Sequence, residues 1–292
     1  MAQPMTTVAF LLVISSGACH ATWNLWLKKS GHKVTFLTLA SGIGSLLFLP
    51  LAVGIAATNG LSVRGALLGC VTGCIHGVYG LSLSRGYGLG DLSAVYPVAR
   101  GLGLALVPVF AAILLAEDVS AVAIVGIVLV GVGIYSIHIE LHSLRDVLAP
   151  LRSLNKPAGR AAMMTGALIA CYYLWDKNAL DDLSPVVLNQ FAMVGHFFVL
   201  LPFALRNGNM GDEWRERRST VLAAGALIPF AYILVLAALE TSRVSYIAPA
   251  REVGIVFGTV FGVVFLAEGL GGARVWAAMV IVAGVLTLAL AP

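Results

Sequence analysis

The sequence is short of charge. Only 11% of its 292 residues are Asp, Glu, Lys or Arg, while 59% are hydrophobic. A soluble globular domain carries about 25% charged residues, so a soluble fold of this length could not cover its surface. The same shortage excludes disorder, which needs polar, highly charged sequence. The net charge of +4 is not gathered into a basic run. The cations sit in short loops, which is no nucleic-acid signature. Cysteine is scarce as well. Cys19, Cys70, Cys74 and Cys171 all fall in apolar stretches. Cys70 and Cys74 share a helix face with His76 turned away, and that is too few ligands for a metal. All four read as small packing residues, since a free Cys behaves as a small buried hydrophobe. Neither G-x-S-x-G nor H-E-x-x-H occurs, and no paired carboxylates lie within the apolar stretches to suggest hydrolysis. No cofactor is expected.

What the sequence has instead is length in its apolar runs. A spanning helix needs about 20 such residues, and ten stretches can be read: Thr7–Leu27, Thr35–Ile55, Ala66–Leu83, Ser93–Ala116, Ala121–His138, Ala161–Trp175, Val186–Leu205, Val221–Leu239, Tyr246–Ala267 and Val275–Ala291. They are too long and too uniformly apolar for alternating barrel strands. The first lacks a basic n-region and resembles the nine that follow, so it is not read as a cleaved signal. The expected fold is an all-α integral membrane protein of ten helices with no soluble catalytic domain. The two longest loops are Ile139–Arg160 and Arg206–Thr220; Asn59-Gly60, Arg85 to Asp91 and Asn207-Gly208 punctuate the rest.

The chain carries an internal repeat, the signal to seek before any other. Gly17, Ala18, Ala21, Leu25, Trp26 and Lys28 match Gly166, Ala167, Ala170, Leu174, Trp175 and Lys177. Ala99, Arg100, Gly103, Phe110, Leu115, Ala116, Glu117 and Gly133 match Ala250, Arg251, Gly254, Phe261, Leu266, Ala267, Glu268 and Gly284. Each copy holds five spans, residues 1–145 and 146–292. An odd number of crossings turns the second copy upside down relative to the first. Inverted repeats of this kind are characteristic of secondary transporters, which alternate access around a midplane site.

Two five-helix halves, with Leu115-Ala116-Glu117 and Leu266-Ala267-Glu268 closing helices 4 and 9 ahead of Gly-rich helices, resemble the EamA type of the drug/metabolite transporter superfamily. Ala237–Leu286 reads like its repeat and Gly80–Ile137 like a weaker copy. The resemblance implies a ten-helix basket with a central cavity lined by helices 1, 3, 4, 6, 8 and 9. It implies a multi-pass protein of a cell membrane, the inner membrane in a bacterium. Characterised members of this type are mostly exporters of amino acids and related metabolites, and this chain is similar in size and layout to bacterial aromatic amino-acid exporters. Arg100 and Arg251 depart from the general pattern. A lipid-linked sugar flippase or a drug exporter would share the fold, and an integral-membrane enzyme is the rival class.

A transporter site is marked by Gly/Pro-interrupted segments at matching places in the two halves. Tyr96-Pro97-Val98-Ala99-Arg100-Gly101 and Ala248-Pro249-Ala250-Arg251-Glu252 are such segments. Pro97 and Pro249 either interrupt their helices or start them, since a first-turn Pro gives up a donor that is free anyway. Arg100 and Arg251 lie within apolar helices, where a cation must face a partner, a wet cavity or the interface. A guanidinium binds carboxylate bidentately, as an amino-acid substrate would require. Glu252 is a candidate for proton coupling, because a carboxyl group removed from water can carry a proton. Glu117 and Glu268 read as interfacial caps.

The candidate substrate-binding residues are therefore His20, Trp23 and Asn24 on helix 1, His76 and Tyr79 on helix 3, Tyr96 and Arg100 on helix 4, Tyr172 and Tyr173 on helix 6, Tyr232 on helix 8, and Arg251 and Glu252 on helix 9. Together they describe an aromatic-walled cavity with a few polar groups; singly, each reads sooner as helix–helix glue than as a binding residue. Trp26, Trp175, Lys28 and Lys177 fall where interfacial anchors belong. Gly69, Gly73 and Gly77, like Gly254, Gly258 and Gly262, follow the small-xxx-small spacing of close helix seams, which leaves monomer and homodimer both open. Thirteen Lys and Arg lie in the odd-numbered loops and three opposite. Since these residues stay cytoplasmic, the count puts both termini outside, whereas the resemblance implies cytoplasmic termini.

Overall fold

The computed structural model describes residues 5–89, 92–136, 154–266 and 271–292, the side chains of 87–89, 92–97 and 266 aside. Every regular element among them is a helix: α1 (Thr7–Lys29), α2 (Lys33–Asn59), α3 (Val63–Leu89), α4 (Leu92–Leu114), α5 (Ala121–Ser136), α6 (Pro157–Ala179), α7 (Pro185–Asn207), α8 (Met210–Thr241), α9 (Val244–Ala250), α10 (Val253–Leu266) and α11 (Gly272–Ala289). Seven of these stretches are long and apolar enough to cross a membrane, namely α1, α2, α3, α7, α8, α11, and α9 with α10 taken together. Over their described side chains α4 and α5 are apolar but shorter, Val98–Leu114 and Ala121–Ser136. The helix missing from both groups is α6, which carries Arg160, Asp176 and Lys177. Of these, Asp176 is buried, Lys177 half-buried and Arg160 exposed.

The helix ends follow local chemistry. Thr6 caps α1 by accepting from the Ala9 amide at 3.1 Å. Ser184 caps α7 at the Val187 amide, with Pro185 in the first turn where its missing donor costs nothing. Gly208 takes the left-handed conformation (φ 69°) that ends α7.

Two expected loops are largely helix. In Arg206–Thr220 the chain is helical from Met210. Asp212 and Glu213 stand in its first turn, where they complement the helix dipole, and the axis kinks at Arg217 (φ −131°) before the apolar run begins. The segment Arg85 to Asp91 continues α3 as far as Leu89. Charge alone marked both as loops, but an amphipathic turn at the interface is as polar as a loop. Residues 137–153, with the boundary between 145 and 146, lie outside the described residues.

Packing runs between the front and the back of the chain. α1 lies on α8 and α10, α2 on α7 and α8, α3 on α6 and α7, α4 on α6, and α5 on α11. Glycine sets the closest approach. A Cβ on Gly195 would stand 2.3 Å from the Gly73 backbone, so α3 and α7 touch main chain to main chain. Gly69 and Gly77 continue this seam against Phe191 and Val199. On the other expected stripe, Gly254 meets Gly17, whereas Gly258 faces nothing within 4 Å.

The cysteines depart from the packing role. Cys70, Cys74 and Cys171 are exposed on the bundle's outside, and only Cys19 is partly buried. A bilayer is as apolar as a protein interior, so a small hydrophobe has no need to turn inward.

Candidate functional site

The ninth span is broken. α9 ends at Ala250, Arg251 and Glu252 form a turn, and α10 resumes at Val253. Across the break the amides of Glu252, Gly254 and Ile255 bond three residues back, to Pro249, Arg251 and Glu252 at 3.0, 3.1 and 2.9 Å. Pro249 lies inside α9 and Pro97 is the sixth residue of α4, so neither starts its helix. α4 runs unbroken through Arg100. The interruption expected in both copies is present in one.

Two guanidinium groups meet at this level. Arg100 and Arg251 are both buried. Arg100 Nε donates to Glu252 Oε2 at 2.9 Å in an ion pair that joins α4 to the break. Arg251 is held differently. Its Nη1 donates to the Tyr173 hydroxyl at 3.2 Å, and its guanidinium carbon stands 5.7 Å from the Tyr232 ring centroid. Its buried Nε has no hydrogen-bond partner, and among the described residues Arg251 has no carboxylate of its own. Glu252's hydrogen-bond partner, Arg100, comes from the preceding half of the chain.

Aromatic rings wall this pair. Tyr172 lies against Tyr173 at 4.8 Å and His76 at 4.7 Å with tilted rings, and meets Tyr79 edge to face at 5.4 Å. On α1, His20 meets Trp23 edge to face at 4.7 Å, and its buried Nδ1 is unpartnered. His20 and Tyr79 lie within electrostatic reach of both Arg100 and Arg251. Asn24 gives its amide to the His20 carbonyl on its own helix at 2.8 Å. The Tyr96 side chain and Glu268 lie outside the described residues. Contacts or electrostatic reach thus link His20, His76, Tyr79, Tyr172, Tyr173 and Tyr232 with Arg100, Arg251 and Glu252, while Trp23 meets His20 and Asn24 bonds within its own helix.

The sequence reading missed Asp176. It is fully buried and joins three helices. Its Oδ1 accepts from Thr72 at 2.7 Å, and its Oδ2 meets His76 Nε2 at 2.9 Å and accepts from the Tyr232 hydroxyl at 2.5 Å. Tyr232 and His76 are themselves 3.1 Å apart. The sixth span was ended at Trp175, which put Asp176 in a loop. The signal was the acid itself, one residue beyond an apolar run whose helix had no stop residue.

Trp175 and Lys177, read as interfacial anchors, bond inside the protein. Trp175 Nε1 donates to the Leu68 carbonyl at 3.0 Å. Lys177 Nζ donates to the carbonyls of Leu239 and Ser242 at the end of α8. Glu117 is a cap, but of another helix. It accepts from the amides of Val244 and Ser245 at 2.8 and 3.0 Å and so fixes the start of α9. Lys177, Glu117, Asp181, Glu240 and Arg243 line an open cavity of about 370 Å³ at this end of the bundle. Among the described residues no group of three His, Cys, Asp or Glu is placed to hold a metal ion.

Residues 159–290 match the EamA-like transporter family. That segment, somewhat under half of the chain, is similar to the EamA-like transporters. The matched segment contains α6 to α11 almost whole, and with them Asp176, Tyr232 and the broken span. An EamA transporter of this build is a multi-pass membrane protein, in keeping with the seven long apolar stretches. A solved structure titled only "Crystal structure of protein" has the same fold, with a TM-score of 0.74 at 16% identity over 97% of this chain and 98% of that one. No curated protein sequence matches the chain.

Proposed function

We propose that the chain is a ten-span transporter of two inverted five-helix repeats, residues 1–145 and 146–292. It exports amino acids or related small metabolites by alternating access, with both termini outside as the loop charges indicate.

Two patterns support the inverted repeat. Exchanging the copies turns the α1–α10 contact into α6–α4, α1–α8 into α6–α3 and α2–α8 into α7–α3, and maps α2–α7 and α5–α11 onto themselves; all of these contacts exist. The glycines follow the same exchange, for Gly17 against Gly254 becomes Gly166 against Gly103.

The substrate reading rests on one observation. Arg251 is a buried cation at a helix break with an unpartnered Nε and, among the described residues, no carboxylate of its own. A cation out of water needs an anion, and a substrate carboxylate supplies one in bidentate geometry. Tyr173 and Tyr172 give the aromatic wall and His20 a free polar atom facing the same charges. Discontinuous helices that present such groups at mid-membrane are how secondary transporters hold substrate.

Counterflow with each of the twenty amino acids, using purified protein in proteoliposomes, tests the reading. The exchanging amino acid should bind roughly ten- to a hundredfold more weakly to Arg251→Ala, the worth of a charged hydrogen-bond pair. Native transport by both Arg100→Ala and Arg251→Ala overturns the site. A lipid-linked sugar flippase or a drug exporter would exchange none of the twenty.

A further inference from the structure

We infer that the Asp176–His76 pair is a proton site, and that the proton bound there competes with the substrate's ammonium group. The inference rests on the reading of Arg251 as the group that holds the substrate carboxylate.

Charge accounting carries the argument. A zwitterion whose carboxylate sits on Arg251 brings an ammonium that also needs a counter-charge, since an unpaired ion in this interior is costly. Among the described residues the site offers two acids. Glu252 is already committed, at 2.9 Å, to Arg100, and both are buried. Asp176 is the other. Around it the donors are the hydroxyls of Thr72 and Tyr232 and the ring of His76, so among the described residues its negative charge is met by dipoles and by no Lys or Arg.

Other titratable groups stand near the pair, among them Cys171 on α6, within electrostatic reach of Asp176. From α8, Tyr232 bonds both members, and His196 on α7 lies within electrostatic reach of His76. Towards α4 and the break stand Arg100 and Glu252, paired with each other, and Arg251 over the Tyr232 ring. Tyr172 lies against His76. Lys177 follows Asp176 in sequence but turns its ammonium to the α8 carbonyls.

With no proton the pair carries −1, a carboxylate beside a neutral ring. One proton taken from water brings it to zero, and the charge that steadied the ammonium is gone. Proton and amino acid then bind one at a time, and alternation of the two is exchange: a proton passes one way for each amino acid the other way. Asp176 and Tyr232 lie on helices of the second repeat and His76 on one of the first, so the site spans the seam that rocking must move.

The test uses proteoliposomes, with the amino acid found by counterflow and its des-amino analogue, a carboxylate with the same side chain, as competitors over a pH series. In the native protein the amino acid should bind progressively more weakly on acidification and the analogue should not. Asp176→Asn should bind the amino acid weakly at every pH, with the pH dependence lost. If that variant fails to reach the membrane, Asp176→Glu should shift the midpoint of the pH profile. A native pH profile in Asp176→Asn or Asp176→Glu, or equal weakening of amino acid and analogue, overturns the proposal. Exchange of none of the twenty amino acids by the native protein would refute the transport reading separately. The proton site is then decided without substrate, by infrared difference spectra between alkaline and acidic buffer. A titration lost in both Asp176→Asn and His76→Gln supports the site, and spectra unchanged by Asp176→Asn refute it.

Discussion

Replacing Arg100 by Met leaves Glu252 stranded. Arg100 is the carboxylate's hydrogen-bond partner at 2.9 Å, and both side chains are buried. Two unit charges about 4 Å apart attract by roughly 4 kcal/mol at an effective dielectric constant of about 20. Removing one member of a buried pair costs about 3–5 kcal/mol, because the other stays out of water uncompensated. Arg251 also lies within electrostatic reach of Glu252, which places the expected loss for Arg100→Met at the lower end, about 3 kcal/mol. The double variant Arg100→Met/Glu252→Met removes both charges and fills their volume, so it should return to within about 1 kcal/mol of the native protein. Equilibrium unfolding by SDS in mixed micelles, followed by circular dichroism, reads both values. A double variant as unstable as Arg100→Met, or more so, would refute the account of this pair as two mutually dependent charges.

Gly195→Ala should destabilise the same unfolding transition by about 1–3 kcal/mol, since its Cβ meets the Gly73 backbone at 2.3 Å. Gly258→Ala, which meets nothing within 4 Å, should be neutral or gain up to about 1 kcal/mol from helix propensity. Glu117→Ala removes the acceptor of the Val244 and Ser245 amides and should cost about 1.5–3 kcal/mol, with Glu117→Gln between it and the native protein. A reporter fused after Pro292 should read the outside of the cell; a cytoplasmic reading would overturn the orientation drawn from thirteen loop cations against three.

Much of the fold is legible in the apolar runs, because in a bilayer each helix must be apolar over its length whatever it packs against. α1 begins at Thr7 and α5 at Ala121, where the sequence reading put them. The break between α9 and α10 was harder to read. Val244–Leu266 is uniformly apolar outside Arg251 and Glu252, and hydropathy is blind to a change in backbone bonding. Pro249 pointed to it, but Pro97 stands one residue from the matching position in an unbroken helix, so the residue alone does not decide. The site divided in the same way. Arg100, Arg251 and Glu252 stood out because charge in an apolar run is rare. Which acid pairs with which base depends on α4 meeting the break, a contact between residues 152 positions apart. Asp176 escaped notice because polarity at a helix end is the usual mark of the interface, and here the polar end points into the bundle.

The front of the chain packs chiefly on the back, and this shapes how the molecule comes to exist. When the first five helices have left the ribosome, their glycine faces have nothing to close on: Gly73 awaits Gly195, Gly17 awaits Gly254, and Arg100 awaits Glu252. A five-helix fragment is accordingly a sticky, half-finished object that needs chaperoning or a second fragment supplied in trans. The same incompleteness would let the two fragments, made as separate polypeptides, find each other and rebuild the whole.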